Sequence, residues 1–145
     1  MTQWIKTSVR FDKLMENGAV KKVTEPYLVD AFSFTEAEAR IIEEVTPFIS
    51  GDFTVSAVKK SKISEILRDD MGDKWYLVKV AFITIDEKTA VEKRSVSQIL
   101  VLANDFANAV ENFNDGMKDT LADFEIVSVA ETPIIDVFNA KLDNE

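Results

Sequence analysis

An α+β domain made of two ββαββ units is what this sequence predicts, with antiparallel sheets, one helix per unit and a pseudo-two-fold arrangement. The first ground is a helix that occurs twice. Phe34, Ala37, Ile41, Val45 and Ile49 have counterparts at Phe106, Ala109, Phe113, Met117 and Leu121, each 72 residues on. The second is a strand that occurs twice, since Trp75, Val80 and Phe82 repeat Trp4, Val9 and Phe11 at 71 residues. The third is the closing strands: Phe124, Ile126 and Val129 follow Phe53, Val55 and Val58, and Ile134, Val137 and Phe138 follow Ile63, Ile66 and Leu67, again at 71. A repeat that cannot bury its apolar face alone pairs with its copy. The expected organisation is one domain of two repeats, 4–67 and 75–138, with a linker 68–74 and a polar tail 139–145.

Each element follows from local pattern. Trp4 to Phe11 alternates, with Ile5, Thr7, Val9 and Phe11 on one face and Trp4, Lys6, Ser8 and Arg10 on the other, the period of a strand. Asn17-Gly18 reads as a hairpin turn because both residues tolerate positive φ, and the return strand runs from Val20 to Ala31. Pro26 lacks an N–H and favours an edge or a bulge. The helix then starts, with Thr35 and Glu38 as a capping box and Glu36 near the positive end of the dipole. Pro47 predicts a distorted last turn before Gly51. Phe53–Lys60 and Ile63–Leu67 read as strands, and Arg68-Asp69-Asp70-Met71-Gly72-Asp73 as a linker. The pattern then restarts: a turn at Ile85–Lys88, a return strand Arg94–Ala103, Asp105 capping the second helix, and two closing strands. The drift between 71 and 72 implies an insertion in the second hairpin and a deletion after the second helix.

Composition excludes several classes of function. The 145 residues are 46% hydrophobic and 30% charged, a folded composition, and no apolar run reaches the ~18 residues of a membrane helix. The N-terminus lacks a secretory h-region, so the expected location is the cytoplasm. There is no Cys and no His. That removes thiolate nucleophiles, the commonest metal ligand and the commonest general base, so the expectation is a protein without catalysis, metal or cofactor. The Asp69, Asp70, Asp73 turn does not alternate its oxygens as a calcium loop does and reads as solvated linker. Asn112, Asn114, Asp115 and Gly116 read as the wet side of the second helix.

Charge is sorted along the chain although the net charge is −9. The helices carry Glu36, Glu38, Glu43, Glu44, Asp105, Glu111, Asp115 and Asp119; the strands and turns carry Lys6, Arg10, Lys13, Lys21, Lys22, Lys59, Lys60, Lys62, Lys79, Lys93 and Arg94. An aromatic beside cations suits single-stranded DNA or RNA, where stacking adds about 1–3 kcal/mol per base. Trp4, Lys6, Arg10, Lys22, Lys79 and Arg94 are the expected contacts. Lysine on a strand also guards against aggregation, and Val96, Leu100 and Leu102 make the second hairpin's outer face apolar, so the other repeat or a second subunit could cover it and a homodimer is an open alternative. The competing function is an acidic module that docks a basic host protein; a small-ligand binder between the repeats comes third.

Counted from the first helix, the element order resembles the four-strand-plus-helix plan of the PUR-alpha and whirly (PC4-like) single-stranded nucleic-acid binders. Lys22-Val23-Thr24-Glu25-Pro26-Tyr27-Leu28-Val29-Asp30-Ala31, the following Ser33 to Glu44 and the later Ser128-Val129-Ala130-Glu131-Thr132-Pro133 resemble an uncharacterised domain family of gut anaerobes and their phages. That resemblance implies the cytoplasm of a bacterial or phage-infected cell and a phage-related setting, including a counter-defence role, but no activity and no site residues.

Overall fold

The computed structural model describes residues 2–69 and 71–140. In order these form β1 (Gln3–Leu14), β2 (Val20–Ala31), α1 (Phe34–Val45), β3 (Phe53–Lys60), β4 (Ile63–Leu67), β5 (Lys74–Ile85), β6 (Glu92–Ala103), α2 (Phe106–Met117), β7 (Asp123–Glu131) and β8 (Asp136–Phe138). The fold is α+β. It divides into two compact units, Met1–Ser61 with Pro133–Glu145, and Lys62–Thr132.

In the first unit the sheet order is β3-β1-β2-β8 and α1 packs on one face. Alternation places Ile5, Val9, Val29 and Ala31 against Ala37, Ile41 and Val45, three helix positions at the four-residue spacing of one stripe. Ile5, Val9, Val29 and Ile41 are fully buried, each contributing about 1.5–3 kcal/mol. Thr7 sits among them and its hydroxyl donates to the Tyr27 carbonyl at 3.4 Å, which satisfies it. In the second unit the order is β4-β6-β5-β7. There Val78, Val80, Ile99 and Val101 pack against Phe113 and Met117, while Tyr76 and Ala103 meet Ala109. Phe113 meets Phe124 edge-on at 5.9 Å, a favourable quadrupole geometry.

The sheets are mixed, not antiparallel throughout: β8 runs parallel to β2, and β4 parallel to β6. The cause lies at the ends of β3 and β7. Only Ser61-Lys62 separates β3 from β4, and a two-residue hairpin needs positive φ that neither residue supplies cheaply. The Ser61 N–H instead donates to the Trp4 carbonyl, 2.9 Å, prolonging the ladder of β3 on β1. The Thr132 N–H does the same to Trp75, 2.8 Å, and Pro133 follows. The chain therefore passes on: β4 leaves the sheet of β3 and joins that of β5, β6 and β7, and β8 leaves the sheet of β7 and joins that of β1, β2 and β3.

Local corrections follow the same logic. The first cap is Ser33, not Thr35: its Oγ accepts from the Glu36 N–H at 3.1 Å while Glu36 accepts from the Phe32 N–H at 2.9 Å. Asp105 caps α2 as expected, and Asn108 takes the part of Glu36 by accepting from the Asn104 N–H at 3.0 Å. In the first hairpin only Gly18 has positive φ, 85°, and the loop closes through Met15 and Ala19. A 3-10 turn, Thr46–Phe48, carries Pro47 where the helix could not continue.

Candidate functional site

Because Ile5, Val9 and Phe11 face α1, the intervening residues of β1 project from the opposite face of the first sheet. Strand register turns that face into a map. Trp4 lies opposite Asp30; Lys6 lies between Lys59 and Leu28; Ser8 lies between Ala57 and Pro26; Arg10 lies between Thr54 and Thr24; Asp12 lies opposite Lys22. An extra residue in β3, Ser56, bulges between the Ser8 and Val9 positions and its hydroxyl donates to the Ser8 carbonyl at 3.4 Å.

Lys6 and Lys59 are direct cross-strand neighbours, so their Cβ atoms are roughly 4.5–5.5 Å apart. Both are exposed, and neither forms an ion pair among the described residues. Arg10 and Lys22 line one small cleft of about 180 Å³ together with Asp12, Asp52 and Thr54. Four of the six expected contacts, Trp4, Lys6, Arg10 and Lys22, thus share one face of one unit. Trp4 is half-buried, and Lys6 and Arg10 on the same strand face are exposed.

Lys79 and Arg94 do not belong to this group. They project from the helix-free face of the second unit's sheet, Lys79 between Gln98 and Ser128 and Arg94 opposite Ile83. Arg94 is already engaged, donating to Glu125 at 2.9 Å. The positions matching Lys6 and Arg10 here are Leu77 and Ala81, so the cationic row occurs once. Lys59, absent from the expected contacts, is the residue that sequence reasoning passed over. Its alternation in β3 was visible, but its pairing with Lys6 depends on the bulge at Ser56.

The helix-free faces are not open throughout. Leu28 and Val137 in the first unit, and Trp75, Ala81 and Leu100 in the second, lie on those faces and are at most 3% exposed. Val96 is accessible at 60%. Accessible cations and buried apolar residues therefore divide each face. The helices carry the opposite sign: Glu36, Glu38, Glu43, Glu111 and Asp115 are exposed.

Other candidates resolve into structure. Asp69 accepts from the Met71 N–H and from the Asn112 side chain, 3.1 and 3.0 Å, and Asn112 also donates to the Leu102 carbonyl at 3.1 Å. Asn112 is therefore a half-buried tie from α2 to β6 and the linker, not part of the wet side, whereas Asn114, Asp115 and Gly116 are exposed as expected. Asp70 lies outside the described residues, as does the tail beyond Ala140. Among the described residues no group of three Asp, Glu, His or Cys could hold a metal, and no helix is long and apolar enough to cross a membrane. On the helix side of the first unit, burial first and Glu25 second push the Tyr27 phenol up to about 12; its hydroxyl donates to Glu25 at 3.4 Å.

Residues 3–140 match the family described as Domain of unknown function (DUF4494). No curated protein matches the chain.

Proposed function

The chain belongs to that family, whose description assigns no activity, and we propose that it binds single-stranded nucleic acid without catalysis through the helix-free face of its first unit. The observation that carries the reading is the Lys6–Lys59 pair. Like charges placed directly opposite on neighbouring strands are destabilising, so the arrangement costs stability unless a polyanion lies over it. Arg10 and Lys22 continue the same surface, the hydroxyls of Ser8, Thr24 and Thr54 lie between, and Trp4 stands at the end as a stacking platform. Absence of His and Cys from the sequence supports the non-catalytic part.

Two units with the same strand order, the same pair of cap hydrogen bonds and the same carbonyl acceptors at Trp4 and Trp75 support descent from one copied half. A homodimer in a bacterial cytoplasm is compatible with this reading, and sedimentation would show it.

The test is tryptophan fluorescence during titration with oligo-dT and with polyglutamate at low salt. Trp75 is 3% exposed, so Trp75→Phe leaves Trp4 as the reporter. Quenching by oligo-dT alone, weakening as salt rises, is the expected result. Lys6→Glu with Arg10→Glu should abolish it with little change in thermal midpoint. Retained binding in that variant rejects this surface. Absence of any response moves the exposed acidic helix faces, and a basic host protein, ahead.

A further inference from the structure

On the helix side of the first unit, a cleft of about 400 Å³ opens between the β1–β2 hairpin and the segment that follows α1. Phe11, Phe48, Ile49 and the Tyr27 ring form its apolar walls, and Glu25 and Lys13 its polar part. Tyr27 is stacked on Phe138 at 6.0 Å, which fixes the direction of its hydroxyl. The Glu25 side chain is only 19% exposed. Among the described residues its carboxylate receives one hydrogen bond, a long one of 3.4 Å from Tyr27. The Lys13 ammonium stands 3.8 Å away, beyond hydrogen-bond distance. A carboxylate has about four acceptor sites, so most of these are left to a donor that enters the cleft. Lys13 also lies directly opposite Lys21. Both are exposed, and Lys21 forms no ion pair among the described residues. A carboxylate and two ammonium groups thus follow one another along an apolar wall.

The fold does not require them. The second unit has Ile99, Ser97 and Thr84 in place of Tyr27, Glu25 and Lys13, and Thr120 in place of Phe48. Ile99 is buried in that unit's core. A part-buried carboxylate and phenol cost desolvation where a serine and an isoleucine suffice, and such departures from the packing rule gather at functional sites. Phe48, 87% exposed, gains little from packing and stands at the rim of the cleft.

The geometry points to a binding site for a free α-amino acid with an aromatic or large aliphatic side chain. Its ammonium donates to Glu25, its carboxylate accepts from Lys13 and Lys21, and its side chain lies against Phe11, Phe48 and Ile49. Each ligand charge then meets its opposite, whereas an amine or an acid alone leaves the lysine pair or Glu25 unmatched. The volume lies within the range of small-molecule sites. The cleft is on the other side of the sheet from Lys6 and Lys59, so the assignment is independent of the nucleic-acid reading.

Phenylalanine, phenethylamine, phenylpropanoate and alanine are titrated into the isotope-labelled full chain, with backbone amide shifts as the readout. Phenylalanine should give saturable shifts at Phe11, Tyr27 and Phe48, with a dissociation constant on the order of 1 mM or below. The other three should each bind at least about tenfold more weakly, since each lacks a charged hydrogen-bonding group or the buried ring. Phe48→Ala should weaken phenylalanine about tenfold and, because Phe48 is exposed, leave the thermal midpoint unchanged. Glu25→Gln should weaken phenylalanine about as much and leave phenylpropanoate unaffected. Phenethylamine or phenylpropanoate binding as tightly as phenylalanine overturns the amino-acid assignment. Affinity that survives Phe48→Ala overturns the site, as does the absence of saturable shifts in this cleft with every probe.

Discussion

Gly72 lies flat against the backbone of Ala103: a Cβ on Gly72 would stand 2.7 Å from the Ala103 nitrogen and 2.9 Å from its Cα. The next residue donates its N–H to the Ala103 carbonyl at 3.2 Å, so the linker is stitched to the end of β6 where the two cross. Gly72→Ala should therefore destabilise by about 1–3 kcal/mol, the usual cost of forced overpacking, because backbone cannot swing aside. Gly116→Ala is the control. Its Cβ would meet Leu67 Cδ1 at 2.7 Å, the mobile end of a side chain, and alanine's ~1 kcal/mol helix advantage offsets the rotamer shift. Urea denaturation of the two variants should show a large loss and a near-zero change.

Ala90 is held at φ 56°, in the hairpin position that Gly18 occupies in the first unit at φ 85°. A left-handed alanine costs about 1–2 kcal/mol, and glycine there loses roughly 0.5–1 in chain entropy. Ala90→Gly should consequently stabilise by about 0.5–1 kcal/mol, and Gly18→Ala should destabilise by about the same. A midpoint that falls for Ala90→Gly would refute the strain.

Burial and Glu25 hold the Tyr27 phenol neutral, raising it from 10.0 to about 12. The unfolded chain releases that proton first, so its contribution is complete below about pH 10 and is lost as pH rises toward 12. For a part-buried hydroxyl the size is on the order of 1 kcal/mol. Stability of the native chain should fall more steeply between pH 10 and 12 than that of Tyr27→Phe. Parallel curves would show that Tyr27 titrates normally.

Lys59→Glu should move stability and binding in opposite directions. Facing Lys6, a glutamate converts repulsion into a cross-strand attraction of about 0.2–1 kcal/mol, while oligo-dT affinity should drop about tenfold. Concerted loss of both would mean the two lysines are tied to the fold and not to a ligand.

Much of this fold could be read directly from residue pattern. Alternation in Trp4–Phe11 and the stripe Ala37, Ile41, Val45 named the faces that pack together, because side-chain direction has a period set by local backbone geometry. The gathering of Trp4, Lys6, Arg10 and Lys22 on one face follows from the same period plus hairpin register. Partner choice was not legible. The parallel placement of β4 and β8 depends on Ser61-Lys62 and Thr132-Pro133 declining to turn, and Lys59 reaches Lys6 only through the bulge at Ser56. Asn112 looks solvent-facing in a helical wheel, yet Asp69 and Leu102 meet it from elsewhere in the chain. Sequence by itself determined which residues point the same way, since that is a property of each segment; tertiary structure alone decided what they point at, since strand pairing across tens of residues is settled by competition among edges that no local pattern records.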